Sequence, residues 1–206
     1  MVSMFVIVRH GNTFTAGESP RRIGARTDLP LTDAGHDQGR ALAAHFASLD
    51  WHFGKAFVSP LLRTRQTAEA IIAGQTGPVT LETADFLREI DHGPDENQTE
   101  DAVTARIGKQ ALAAWDQDAV PPDGWSVDAE LRIAAWHSLF TNSSNDDRPT
   151  LLVTSNGAAR FALLADPCLR ARLHNLPTLK LPTGSYGIIR KASDGQLEVP
   201  VWGKRP

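Results

Sequence analysis

The sequence is poor in sulfur. Cys168 is its one cysteine, beside two methionines, so no internal disulfide can form and a reducing, cytoplasmic setting is expected. It also lacks a long apolar run; none approaches the roughly 18–20 residues that cross a bilayer. Basic charge is not in excess, since 21 Lys and Arg stand against 24 Asp and Glu for a formal net charge of −3. That balance speaks against nucleic-acid binding and against a polybasic membrane anchor. The amino terminus has neither the basic region nor the small-residue cleavage site of a signal peptide. His36, His45 and His52 do not stand at metal-ligand spacing with acids or cysteines. No Gly-Lys-Ser/Thr follows residues 11–17, which excludes a phosphate-binding P-loop. Ser155 is not in a Gly-x-Ser-x-Gly elbow. No metal or cofactor is therefore expected.

What is present is a chain of 206 residues, 41% of them hydrophobic, enough for one domain with an ordinary core. Met4-Phe5-Val6-Ile7-Val8 is a short apolar run that reads as a strand buried on both faces. It stops at Arg9-His10-Gly11. Strong strands are also expected at 55–59 and 150–155, and weaker ones at 79–81, 186–191 and 197–202. The last two are joined by a turn at Asp194-Gly195. Helices are expected at 32–48, 61–73, 100–115, 127–140 and 158–164. Ser59 and Pro60 would supply the N-cap and first position of the second helix. Leu131, Ala135, Leu139 and Trp136 would form the buried face of the fourth. The acidic run 95–101 reads as a solvated helix start, and 142–149 as a polar linker. Strands alternating with helices predict an α/β fold: a three-layer α/β/α sandwich with a mainly parallel central sheet. The whole chain, 1–206, would be one domain with a helical cap or insertion at about 84–142.

Three of these strands end in polar punctuation: Arg9-His10-Gly11, Ser59-Pro60-Leu61-Leu62-Arg63 and Ser155-Asn156-Gly157. In a parallel sheet the three ends share one edge, where ligands of open α/β sheets bind. The edge would then hold an imidazole, guanidiniums, an amide and a helix N-terminus, a set that suits phosphate. Arg9 and His10 can both face a ligand only where the strand ends, because side chains alternate along it; Gly11 would permit a sharp turn there. Arg63 and Arg65 lie about 200° apart around a helix, so one of them faces the edge, and Arg63 is nearer.

These residues carry a resemblance. Val8-Arg9-His10-Gly11-Asn12-Thr13 resembles the R-H-G-x-T signature of the histidine phosphatase superfamily, the phosphoglycerate mutase-like family. Asp28-Leu29-Pro30-Leu31-Thr32-Asp33-Ala34-Gly35 is similar to its D-x-P-L-T-x-x-G. Ser59-Pro60-Leu61-Leu62-Arg63-Thr64-Arg65-Gln66-Thr67-Ala68 is similar to its S-P-L-x-R-x-x-Q-T-A. Leu87-Arg88-Glu89 resembles its L-x-E, and Val153-Thr154-Ser155-Asn156-Gly157 occupies the place of its V-x-[ST]-H-G.

The resemblance implies that His10 is a nucleophile forming a phosphohistidine, attacking as the neutral imidazole with its other nitrogen held by a carbonyl. Arg9 and Arg63 would bind the phosphoryl oxygens, with Thr13 and Asn156 completing the phosphate pocket. Glu89 would protonate the leaving oxygen and then activate water; Asp85 and Asp91 are the alternatives. The family's second histidine would normally stand at Asn156, which cannot carry positive charge. Losing one such contact typically costs about 2.7–4 kcal/mol. His92 and His174 are the nearest groups that could compensate, although each reads first as structural or exposed. Thr15-Ala16 and Gly93-Pro94-Asp95-Glu96-Asn97 also depart from the pattern, in regions that shape the family's substrate pocket. The chain looks short of the insertions expected in glycolytic mutases. The expected activity is phosphomonoester hydrolysis on a small phosphorylated substrate. The alternatives are a phosphate-ester-binding regulatory protein with little turnover, or a mutase-type phosphotransferase. Arg21, Arg22 and Arg26 either help hold an anionic substrate or sit in a solvated loop. Oligomeric state stays open.

Overall fold

The computed structural model describes residues 3–142 and 148–206; most of the linker expected at 142–149 lies outside them. Its strands are β1 (Ser3–Arg9), β2 (Lys55–Val58), β3 (Thr80–Thr83), β4 (Thr150–Thr154), β5 (Tyr186–Lys191) and β6 (Leu197–Lys204). They form one sheet in the order β3-β2-β4-β1-β5-β6. The first four of that order run parallel, and β5 and β6 add an antiparallel pair at one side. The helices are α1 (Asp33–Ser48), α2 (Leu62–Ala73), α3 (Glu100–Asp118), α4 (Ala129–Thr141), α5 (Asn156–Leu164) and α6 (Pro167–Ala171).

The alternation along β1 explains the layers. Val6 and Val8 face a cluster with Leu42, Phe46 and Ile71 of α1 and α2. Phe5 and Ile7 face the opposite cluster, with Trp115, Trp136, Phe140 and Phe161 of α3, α4 and α5. Each such side chain, fully buried, contributes about 1.5–3 kcal/mol. Burial on both faces is what the unbroken apolar run required.

Local signals mislead at several places. Helix α2 is not capped by Ser59. Its N-cap is Leu61, which has no side-chain acceptor; instead Asp28 Oδ1 accepts the Leu62 N–H at 2.7 Å from a distant loop. Pro60 holds Ser59 away from helical backbone, so the start moves inward and a tertiary cap takes over. Helix α5 begins two residues early, at Asn156. The face of α4 is also rotated: Leu131 is 73% exposed, while Arg132, Trp136 and Phe140 are buried. Arg132 decides this, because its guanidinium donates to the carbonyls of Val127, Phe86 and Arg88. The acidic run is not wholly solvated. Asp95 is buried between Arg106 and the Trp125 indole N–H, and Glu96 is buried beside it.

Candidate active site

β2, β4 and β1 lie side by side in parallel, with Val58 opposite Val153 and Val153 opposite Val8. Their three polar ends therefore meet at one edge, as the strand punctuation predicts. β1 stops at Arg9, so Arg9 and His10 escape strand alternation and both reach the same pocket. Gly11 is needed for a different reason from a turn. A Cβ there would collide with the backbone of Gly35, and a Cβ on Gly35 would collide with the Asn12 carbonyl. The glycines of the first two motifs thus let the β1 end press against the start of α1.

His10 is 3% exposed. Its Nδ1 lies 2.7 Å from the Gly11 carbonyl, an acceptor that requires the proton on Nδ1. Nε2 is then a lone pair, and it accepts from Arg63 Nε–H at 3.2 Å. Burial, then the charges of Arg63 and Arg9, hold the imidazole well below its ordinary pKa. Arg63 is fully buried and Arg65 exposed. The Arg63 fork is set by the carbonyls of Thr27 (2.8 Å) and Gly24 (3.2 Å). It sits against His10 rather than forming part of the pocket wall, whereas Arg9, Thr13, Glu89 and Asn156 all line the wall.

Arg9 Nη1 donates to the Leu181 carbonyl at 2.7 Å, and the Leu181 N–H donates to Asn156 Oδ1 at 2.9 Å. The second bond fixes the amide so that its NH2 end is the donor left for the pocket. Burial pushes the Arg9 guanidinium down to about 10. Glu89 is 5% exposed and accepts from the N–H groups of Ile90 (2.9 Å) and Gly157 (3.0 Å). Burial works to raise its pKa. His92, those two N–H groups and Arg63 outweigh burial and hold it below the ordinary carboxylate range. A Cβ on Gly157 would strike the Glu89 carboxylate, which accounts for the glycine after Asn156. The alternatives to Glu89 lie elsewhere: Asp85 is paired with Arg88 on the surface, and Asp91 holds Arg26. His92 lines the pocket; His174 is exposed.

Sequence reasoning missed Glu96. Its Oε1 accepts from Gly24 N, Arg26 N and Thr27 Oγ1, and its Oε2 from His92 N. Burial opposes its ionisation, but the His92 side chain, then Thr27 Oγ1 and the backbone N–H groups of His92 and Gly24, push its pKa down to about 2. Glu96 thereby shapes the loop whose carbonyls aim Arg63. The pocket encloses about 790 Å³. At its mouth stand three ion pairs: Arg21–Glu18 (3.6 Å), Arg22–Glu100 (2.6 Å) and Lys180–Asp116 (2.6 Å). Arg26 is not part of it. Among the described residues no cluster of three or more histidine, cysteine or acidic side chains could hold a metal ion, and no helix is long and apolar enough to cross a membrane.

Residues 5–203 match the family described as the histidine phosphatase superfamily (branch 1). The chain belongs to the histidine phosphatase superfamily. A relative in this superfamily, a 2,3-bisphosphoglycerate-dependent phosphoglycerate mutase from Rhizobium etli, is 32% identical over 198 residues, covering 94% of this chain and 93% of the mutase. Length therefore does not separate the chain from that mutase. Among solved structures, a protein titled mycobacterial hydrolase 1 superposes with a TM-score of 0.78 at 22% identity over the full length of both chains. A mycobacterial glucosyl-3-phosphoglycerate phosphatase superposes with a TM-score of 0.74 at 22% identity, covering 98% of this chain and 99% of that one. At such identities the structures establish the shared histidine phosphatase fold and nothing finer.

Proposed function

We propose that this protein is a phosphomonoester hydrolase that works through a phosphohistidine on His10. The observation that carries the reading is the state of the His10 ring, with Nδ1 committed to the Gly11 carbonyl and Nε2 left as an unprotonated lone pair, held by Arg63 Nε–H, in a ring that lines the pocket. The Nε2 lone pair attacks phosphorus as the ester P–O bond breaks, with Arg9 and Arg63 stabilising the equatorial oxygens. Arg63 Nε–H must leave Nε2 and turn to the phosphoryl group, a short transfer from its 3.2 Å contact. Glu89 gives a proton to the departing oxygen. Water then attacks the phosphohistidine, Glu89 takes the proton of that water, and the P–N bond breaks to regenerate neutral His10.

The mouth of the pocket is open to solvent, with Glu100 61% and Lys180 49% exposed, which gives water the route to the phosphohistidine that hydrolysis requires. A second reading, a phosphate-ester-binding protein with little turnover, is favoured by Asn156, read as the replacement of the family's second histidine. Assay of the purified protein against a panel of phosphomonoesters, with His10→Ala beside it, separates them. Turnover lost in His10→Ala supports the hydrolase. Ester binding without turnover in the unmodified protein supports the second reading.

A further inference from the structure

Two arginines are buried in the helices over one face of the sheet, and their surroundings differ. Arg132 on α4 is satisfied: it bonds the carbonyls of Val127 (2.8 Å), Phe86 (3.0 Å) and Arg88 (2.5 Å). It braces the segment that leads into Glu89, and that accounts for it. Arg160 on α5 is fully buried and is not satisfied. Its Nη1 donates to the Trp115 carbonyl and its guanidinium stacks 3.9 Å over the Trp115 ring, a favourable cation–π contact. Its Nε and Nη2 have no hydrogen-bond partner. Among the described residues no carboxylate stands within ion-pair distance of it. A buried guanidinium without a counter-ion is strongly unfavourable, and an apolar side chain of similar size would pack more stably. Every other residue from Gly157 to Leu163 is small or apolar and buried, so the helix itself gives no reason for the charge.

The reason lies in the pocket. Asn156 stands four residues earlier on the same face of α5 and lines the pocket without charge. Trp115, under the guanidinium, lines it too, as does the adjacent Asp116. Glu89 and then Asp116 are the favourable charges nearest in effect to Arg160, while Arg22 and Arg9 oppose it. All four border the same pocket.

We propose that Arg160 is a positioning residue for the phosphoryl group: a buried cation behind Asn156 that supplies the positive field Asn156 lacks, without touching substrate. The low-dielectric interior carries the field, where a charge acts more strongly than in water. The proposal rests on the phosphoryl-transfer reading of the pocket.

The test measures inorganic phosphate binding by calorimetry in the unmodified protein, Arg160→Lys and Arg160→Gln. Lys keeps the charge; Gln removes it and can still donate to the Trp115 carbonyl. The expected result is near-unmodified affinity for Lys and about tenfold weaker binding for Gln. Adding Asn156→His should shrink the loss caused by Arg160→Gln, since an imidazolium then supplies charge directly. Equal affinity in the unmodified and Gln proteins, or equal losses in Lys and Gln, overturns the proposal. If Arg160→Gln does not fold, Lys alone decides: retained affinity supports a charge role, and a tenfold loss overturns it. Absence of phosphate binding in the unmodified protein overturns the reading of the pocket and this role together. Intact binding that ignores Arg160→Gln removes this role only.

Discussion

At the mouth of the pocket Arg21, Arg22 and Lys180 each have a carboxylate beside them. The floor, taken as Arg9 on the wall with Arg63, Arg132 and Arg160 buried behind it, has one leading favourable charge for all four, Glu89. The mouth pairs are partly exposed, and such pairs are worth about 0–1 kcal/mol. The floor is buried, so its surplus of positive charge is not screened by water. A surface that balances its charges can tune which molecules enter. A floor with more cations than carboxylates suits a doubly negative group. Under the proposed mechanism this contrast lets Glu89 be a carboxylate before substrate binds and an acid during reaction: an incoming phosphoryl dianion takes over its role as counter-ion and pushes its pKa up.

The largest effect that tests this contrast is expected from Glu89→Gln. Turnover should fall by about 10²–10⁴, while inorganic phosphate should bind more tightly because a competing negative charge is gone. Weaker phosphate binding in this variant would break the account of the floor. A pH series comes next. Glu89 is held ionised and His10 neutral in the free protein, and the second proton of a phosphate monoester leaves near pH 6, roughly. The reactive complex holds one proton more than free enzyme plus dianionic ester, so raising pH works against it. Accordingly kcat/KM should decline above about pH 6; a profile that rises from pH 6 to 8 would contradict the proton assignment. The smallest effect belongs to the mouth. Lys180→Ala should change kcat/KM for a small ester by about fivefold or less, appearing in KM rather than kcat. A collapse of kcat would mean that the mouth is as demanding as the floor.

The same contrast marks what the sequence could tell. The floor was legible wherever a residue sits at a strand end: His10, Arg9, Arg63 and Asn156 follow from punctuation after apolar runs, and Glu89 from the family motif. The helical angle left one place for Arg63 or Arg65, and the choice of Arg63 followed from its position in the first turn, nearer the strand end. Glu96 was hidden because a run of acids looks solvated, and its partners at Gly24, Arg26 and Thr27 come from a loop about seventy residues away. The cap of α2 was hidden for the same reason, since Asp28 arrives from outside the helix. The face of α4 was misread because an arginine, not a leucine, was buried. Arg160 did leave a signal: a lone charge within Ala-Ala-Arg-Phe-Ala-Leu-Leu, a helix apolar all round and therefore buried, stands where charge is costly. Counts of hydrophobic periodicity do not weigh that anomaly.

The central claim is that His10 Nε2 forms a bond to phosphorus. Protein mixed with a phosphomonoester and quenched in alkali should carry one phosphoryl group on His10, located by mass spectrometry of the peptide that contains it, and none in His10→Ala. Glu89→Gln should accumulate the phosphoryl form when given an ester with a good leaving group, because water is then poorly activated. Turnover that persists in His10→Ala, or that proceeds without phosphate ever appearing on His10, would contradict the account.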